Sequence, residues 1–108
     1  MTTKVTVEMP LCGYRTKIRA ERDGDGVSLK IYSGCKKIQY VARELEALSM
    51  EELADPSRSK LFKLLLESRF TPTCLVPVGI MNAAWVEVGN TSRYLALEKK
   101  ELKIRFEE

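Results

Sequence analysis

Apolar and polar residues alternate in three segments near the start of the chain. In residues 4–9, 14–22 and 27–32, side chains suited to a buried face occupy every second position, which is the period of a strand with one buried side. The sequence DGDG at residues 23–26 separates the last two segments, and Asp-Gly pairs favour tight hairpin turns because they adopt positive φ easily. The pattern therefore predicts a β-hairpin over residues 14–32 and a further strand near residues 4–9.

The middle of the chain has a helical period. From residue 36 apolar residues recur every three or four positions, which indicates an amphipathic helix. Ser49 and Glu52 have the spacing of a capping box and predict a second helix, and Asp55-Pro56 predicts the start of a third. The buried face of that third helix is expected to consist of Leu61, Phe62, Leu65 and Leu66.

Residues 77–88 predict a helix that is apolar on nearly all sides, beginning at Pro77 and ending before Gly89. Such a helix is expected to be the central and most buried one. Glu87 lies in this helix close to its end. A buried carboxylate with a raised pKa is one interpretation, but no second acid or base converges on it, so we expect it at the exposed helix terminus.

Alternation returns near the C-terminus and completes the predicted fold. Residues 94–97 indicate a short edge strand, and residues 101–106 a last strand that faces Leu102, Ile104 and Phe106 inward. The order of elements predicts an α+β fold with a mostly antiparallel sheet, made of the hairpin 14–32 and strands near 4–9 and 101–106, and with the helices packed on one face. The chain has 108 residues, 44% of them hydrophobic, so residues 1–108 are expected to form a single domain.

The composition narrows the chemistry that the chain can perform. It contains no histidine, which excludes Ser-His-Asp and Cys-His catalytic groups and zinc sites with imidazole ligands. It also contains no phosphate-binding loop, nucleophile elbow or dinucleotide fingerprint, so it does not predict an enzyme. The first residues lack the apolar core of a secretory signal, and no segment approaches the roughly 18 apolar residues of a membrane span. We therefore expect a cytoplasmic protein without a membrane partner.

The cysteines are the main candidates for function. Their number, three, argues against a fully paired disulfide scaffold. If the hairpin turn is centred on residues 23–24, Cys12 lies opposite Cys35; if it is centred on residues 24–25, Cys35 faces Tyr14 and Cys12 is a diagonal neighbour. In both registers the two cysteines meet at the open end of the hairpin and continue the inward positions of their strands.

Two cysteines also precede predicted helices. Cys35 comes just before the first helix and Cys74 just before the buried one, where the helix N-terminus favours thiolate over thiol. Packing of the buried helix on the inner face of the sheet would bring Cys74 close to the other two cysteines. The fixed φ of Pro77 would set the direction from which the loop delivers the Cys74 sulfur.

The sequence therefore predicts a site formed by Cys12, Cys35 and Cys74. Three thiolates without histidine suit an iron–sulfur cluster, or a zinc ion completed by a carboxylate, water or partner group. Such a site requires a metal or cluster donor, or a protein partner that supplies a ligand. Two other interpretations stay open: the cysteines are small buried apolar residues, or Cys12 and Cys35 form a redox-sensitive disulfide.

The cysteine motifs resemble those of a family of small, uncharacterised three-cysteine proteins from archaea and anaerobic bacteria. The shared motifs are C-G at 12–13, S-x-C at 33–35 and C-x-V-P at 74–77 before an alanine-containing helix, and the similarity spans residues 12 to about 106. The resemblance implies that the three cysteines are a family feature, but it implies no reaction. This chain departs from the family at Leu75, where proline is frequent, and at Asn82 and Trp85, which stand in place of a Lys-Ala-x-Glu pattern.

The outward positions of the predicted sheet suggest a different function. They carry many cations and only Glu8 and Glu101 as acids; the cations are Lys4, Arg15, Lys17, Arg19, Lys30, Lys103 and Arg105. The alternative prediction is a module that binds nucleic acid or another polyanion on this face, with Tyr32 stacking on a base. The net charge of +3 also favours a negatively charged partner. An ordinary solvated face accounts for the same pattern.

Overall fold

The first part of the chain forms a four-stranded antiparallel sheet in the computed structural model, which describes residues 2–108. Its strands lie in sequence order: β1 (Thr2–Met9), β2 (Tyr14–Asp23), β3 (Gly26–Ser33) and β4 (Ala47–Leu48). The predicted hairpin and first strand are confirmed. Short turns join β1 to β2 and β2 to β3, whereas the chain returns to place β4 beside β3 only after a helix.

The turn between β2 and β3 consists of Gly24 and Asp25. Asp23 pairs with Gly26 and Ile18 pairs with Ile31. Gly24 has φ +61°, a conformation that glycine adopts without a Cβ penalty. Of the two predicted registers, the one centred on residues 24–25 is therefore correct.

Five α-helices follow the hairpin along the chain, and β4 comes after the first of them. They are α1 (Lys36–Glu44), α2 (Met50–Ala54), α3 (Lys60–Ser68), α4 (Val76–Glu87) and α5 (Arg93–Lys99). The predicted capping box starts α2, because the Ser49 Oγ accepts the Glu52 N–H and the Glu52 carboxylate accepts the Ser49 N–H. Asp55 caps only a 3-10 turn at Pro56–Arg58, and Ser59 caps α3. No helix within residues 2–108 has the length and apolarity needed to cross a bilayer.

The helices cover one face of the sheet, which confirms the predicted α+β fold. α4 packs on β1 and β2, and α1 packs on β3. The backbone of α4 approaches the sheet closely at Gly79, where a Cβ would clash with Val7 Cγ2 and lie 3.2 Å from Ile18 Cδ1. The prediction for α3 is wrong at Leu66, which is exposed, while Leu64 is buried in its place.

The C-terminal predictions are wrong. Residues 94–97 belong to α5, because the Ser92 Oγ accepts the Leu95 N–H and caps a helix there. Residues 101–106 form no strand, and Leu102, Ile104 and Phe106 are exposed rather than inward. An alternating segment becomes a strand only when another strand pairs with its backbone, and within residues 2–108 no segment pairs with this one.

Candidate functional site

Cys12 lies in the turn that joins β1 to β2. The N–H groups of Cys12 and Gly13 donate to the Met9 carbonyl at 3.2 and 2.8 Å, and the Cys12 thiol donates to the same oxygen at 3.6 Å. Its side chain is exposed. The expectation that Cys12 continues the inward positions of β2 is therefore wrong, because β2 begins only at Tyr14.

Cys35 is the N-cap residue of α1. Its carbonyl accepts the Gln39 N–H at 2.9 Å, and its own N–H donates to the Ser33 Oγ at 3.1 Å. The thiol makes no capping hydrogen bond. The side chain is half-buried and packs against the hydrophobic core. Its backbone is held between the last residue of β3 and the first turn of α1.

Cys74 lies just before α4, whose N-cap is Leu75. The Val76 N–H donates to the Cys74 Sγ at 3.5 Å, and the Cys74 N–H donates to the Thr71 carbonyl at 2.9 Å. The thiol is half-buried against the core. It thus contacts the N-terminus of the most buried helix, at the place expected from Pro77.

The pKa of the Cys74 thiol is raised above its ordinary value. Burial is the largest cause, the hydrogen bond from the Val76 N–H opposes it, and the negative charges of Cys35 and Cys12 raise the pKa further. The expectation that the helix start makes Cys74 a thiolate is wrong, since desolvation and like charge outweigh one N–H group.

The charge contributions to the Cys74 pKa indicate how close the three cysteines are to one another. Cys35 and Cys12 lie near enough to Cys74 for their charges to act on it. All three are free thiols. Within residues 2–108, however, no group of three or more cysteine, aspartate or glutamate side chains is arranged to hold a metal ion. The role of these thiols as ligands stays a prediction.

The predicted basic face is formed by three strands. The pairing of β1, β2 and β3 aligns Lys4, Arg19 and Lys30 in one row, and Thr6, Lys17 and Tyr32 in the next. Arg15 and Arg19 make ion pairs with Glu8 at 2.8 Å and with Glu21 at 3.2 Å. Lys103 and Arg105 do not belong to this face, because residues 101–106 are not part of the sheet.

Glu87 is a buried carboxylate, the interpretation that the sequence did not favour. Instead of lying at an exposed helix end, its side chain accepts hydrogen bonds from the Thr3 hydroxyl at 2.8 Å, the Arg22 N–H at 2.9 Å and Arg93 at 2.8 Å. The signal available in the sequence was a single acid in an apolar helix with an arginine six residues later. These hydrogen bonds join α4 to β1, β2 and α5.

Comparison with known proteins adds a family but no activity. The sequence model of DUF6951, a family of unknown function, matches residues 3–104. No curated protein and no solved structure matches the chain. The predicted resemblance is supported as far as an uncharacterised family, and nothing in the match concerns its cysteines or its source. Because the match covers nearly the whole sequence, the chain belongs to DUF6951.

Proposed function

We propose that the protein binds a thiophilic metal centre, an iron–sulfur cluster or a zinc ion, through Cys12, Cys35 and Cys74. The observation that carries this proposal is that Cys12 and Cys35 lie at the same end of the sheet, because Met9 pairs with Tyr14 and Thr16 pairs with Ser33. The charges of both cysteines also raise the pKa of Cys74. Thiols that are distant in sequence therefore share one region of the molecule. Sulfur ligands without histidine select zinc and iron–sulfur centres over hard cations.

Binding requires the three sulfurs to approach one another, and Cys12 is the one placed to move. It is exposed, it lies in a turn, and its thiol has only a weak hydrogen bond to the Met9 carbonyl to give up. Cys35 and Cys74 contact the core and would remain in place. Closure of the turn consisting of residues 10–13 would complete the set, and a ligand from water, a carboxylate or a partner would fill the remaining position.

The charges favour a cation once the thiols ionise. Each thiol releases its proton on binding, and three neighbouring thiolates repel one another. A bound cation cancels this repulsion and so offsets the part of the raised Cys74 pKa that comes from Cys35 and Cys12. The half-buried surroundings of Cys35 and Cys74 strengthen that attraction, because the local dielectric is lower than in water.

The test is metal analysis of the full chain purified without oxygen from cells supplied with iron and zinc. We expect bound zinc, or iron with sulfide and visible absorbance, and we expect the Cys12→Ser/Cys35→Ser/Cys74→Ser variant to lack it. Cys12→Ser alone should weaken zinc binding by at least about 100-fold, because even groups that only support a ligand contribute about 10- to 100-fold.

Two results would refute the metal site. One is metal-free, colourless wild-type protein that also fails to bind added zinc. The other is a triple variant that keeps its metal. Because Cys12 is exposed, the serine variant at this position should remain folded, which circular dichroism can verify. Loss of metal there is then not a consequence of unfolding.

A second candidate function is the binding of single-stranded RNA to the outer face of the sheet. The supporting observation is the row formed by Lys4, Arg19 and Lys30 beside Lys17 and Tyr32. Within the described residues, none of these three lysines has an acidic partner, whereas Arg15 and Arg19 do. Phosphates could therefore contact the lysines, and a base could stack on the exposed Tyr32.

Fluorescence anisotropy with a labelled single-stranded RNA tests this candidate. Three phosphate contacts predict a slope of about −2 in a plot of log affinity against log salt. Lys17→Glu/Lys30→Glu should abolish binding, and Lys63→Glu on the exposed surface of α3 should change it little. Binding that is independent of salt, or equally weakened by Lys63→Glu, would eliminate the sheet face as the site.

A further inference from the structure

The C-terminal segment has the sequence of a strand but no strand to pair with. After α5 the chain continues through residues 100–108 without regular structure. Its apolar side chains are solvent-exposed, at 78% for Leu102, 67% for Ile104 and 77% for Phe106. Exposed large apolar side chains this close together in one segment are typical of a surface that binds a partner.

The sheet has one long unpaired edge. β1 is the first strand in the order β1-β2-β3-β4 and pairs only with β2. Within residues 2–108, the β1 backbone outside its pairing with β2 accepts only the turn bonds at Met9 and a hydrogen bond from the Arg93 side chain to the Thr2 carbonyl at 3.4 Å. The opposite edge strand, β4, has only two residues. An exposed edge without proline accepts an additional strand through its free N–H and C=O groups.

The apolar residues of the tail, defined as residues 101–107, match the inner face of β1. An antiparallel alignment places apolar side chains opposite one another, as the pairs Phe106 with Val5, Ile104 with Val7, and Leu102 with Met9. Val5 and Met9 are only partly buried although they pack against the core. A strand added here would cover both of them and bury the tail's own apolar side chains.

The charged residues match in the same alignment. On the outer face, the opposed pairs are Glu107 with Lys4, Arg105 with Thr6, and Lys103 with Glu8, so that opposite charges face each other at both ends. Cross-strand pairs of this kind stabilise a sheet, whereas like charges would destabilise it. The same alignment therefore pairs apolar side chains on the inner face and opposite charges on the outer face.

We infer that the tail of one chain adds as an antiparallel strand to β1 of a second copy, and that the exchange is reciprocal. In its own chain the tail lies off the sheet, since Lys100 turns the backbone at the end of α5 with φ +72°. Reciprocal exchange gives a closed two-fold dimer, the commonest symmetry of homo-oligomers. Each sheet gains a fifth strand, and Lys103 and Arg105 join the outer face predicted from the sequence.

Sedimentation equilibrium of the Cys12→Ser/Cys35→Ser/Cys74→Ser variant tests the dimer. This variant excludes disulfide dimers and separates the result from the proposed metal site. The expected species is a dimer. Ile104→Asp/Phe106→Asp should weaken dimerisation by at least about 100-fold, because two large apolar side chains lose their burial. Both residues are exposed in the single chain, so this change should not unfold it.

A matched control and a charge exchange test the location. Leu11→Asp/Leu66→Asp alters two side chains that are equally exposed outside the tail and should leave the dimer intact. Lys4→Glu and Glu107→Lys should each weaken the dimer by about two- to fivefold, and the two together should restore it. A monomeric protein at 100 µM, a dimer that survives Ile104→Asp/Phe106→Asp, or a dimer that the control disrupts equally would overturn the inference.

Discussion

Arg93 and Glu87 form an ion pair that is largely buried, with 2.8 Å between Nη2 and Oε1 and side-chain exposures of 27% and 1%. The carboxylate also accepts hydrogen bonds from the Thr3 hydroxyl and the Arg22 N–H. Within residues 2–108 no buried side-chain nitrogen or oxygen lacks a partner. The cost of burying the Glu87 charge is thus offset by several donors, and a change that removes one member leaves the others unpaired.

We predict that Glu87→Gln destabilises the protein at neutral pH. The amide cannot pair with Arg93 as an ion and places an NH₂ group among donors, so we expect a loss of about 1–3 kcal/mol in the free energy of unfolding. Urea unfolding at pH 7 measures it. Glu98→Gln, an exposed acid on α5, is the control and should have almost no effect.

The contribution of Glu87 should also depend on pH. Burial by itself would raise the pKa of Glu87, but hydrogen bonds from Thr3, Arg22 and Arg93 and the Arg93 charge lower it below its ordinary 4.5. Because the folded pKa is the lower one, the contribution is complete above about pH 4.5 and is lost as the pH falls through the folded pKa. The stability difference between wild type and Glu87→Gln should therefore narrow in acid. A constant difference from pH 7 to pH 3 would contradict this assignment.

Gly79→Ala should destabilise the protein although alanine favours helices. The added methyl group meets Val7 Cγ2, and overpacking of this kind costs about 1–3 kcal/mol, which exceeds the gain in helix propensity of about 1 kcal/mol. Val7→Ala removes the obstructing group, so the double variant should be more stable than the sum of the single changes predicts. Val78→Ala, on the exposed side of α4, is the control. Additive effects of Gly79→Ala and Val7→Ala would exclude the close approach.

Cys12→Ser and Cys35→Ser should each lower the pH midpoint for alkylation of Cys74. Each variant removes a negative charge that raises the Cys74 pKa while keeping the shape of the side chain. Mass spectrometry of peptides after timed iodoacetamide treatment between pH 7 and pH 10 gives the midpoint. If it does not move in either variant, the three thiols do not share one region, and the basis of the proposed metal site is lost.

Glu52→Ala should be more harmful than Ser49→Ala. Ser49→Ala removes one capping bond, a loss of about 1 kcal/mol. The Glu52 carboxylate accepts both the Ser49 N–H at 3.1 Å and the Lys60 N–H at 2.8 Å, so its removal frees a donor at the start of α2 and another at the start of α3. Thermal unfolding compares the two, with Glu51→Ala, an exposed acid in the same turn, as the control. Equal losses would mean that the Lys60 contact contributes nothing.

Much of the candidate site was predictable because its positions depend on local signals. The turn residues and the alternating strands predict the hairpin, and Pro77 predicts where α4 begins, so the neighbourhoods of Cys35 and Cys74 follow from short segments. Cys12 did not follow, because Pro10 to Gly13 form a turn with backbone bonds to Met9 in place of strand pairing. The ionisation of Cys74 also required the packed structure, since burial is its largest cause.

The sequence by itself determined the β-hairpin, the starts of α1, α2 and α4, and the apolar character of α4, because each depends on backbone preferences and periodicity within a few residues. Only the tertiary structure decided that Glu87 is enclosed by Thr3, Arg22 and Arg93, which lie on three other elements. It also left residues 101–106 unpaired although their pattern is that of a strand. Periodicity states which side of a strand is apolar, but hydrogen bonds to a neighbouring backbone make it a strand, and a neighbour is a property of the whole fold.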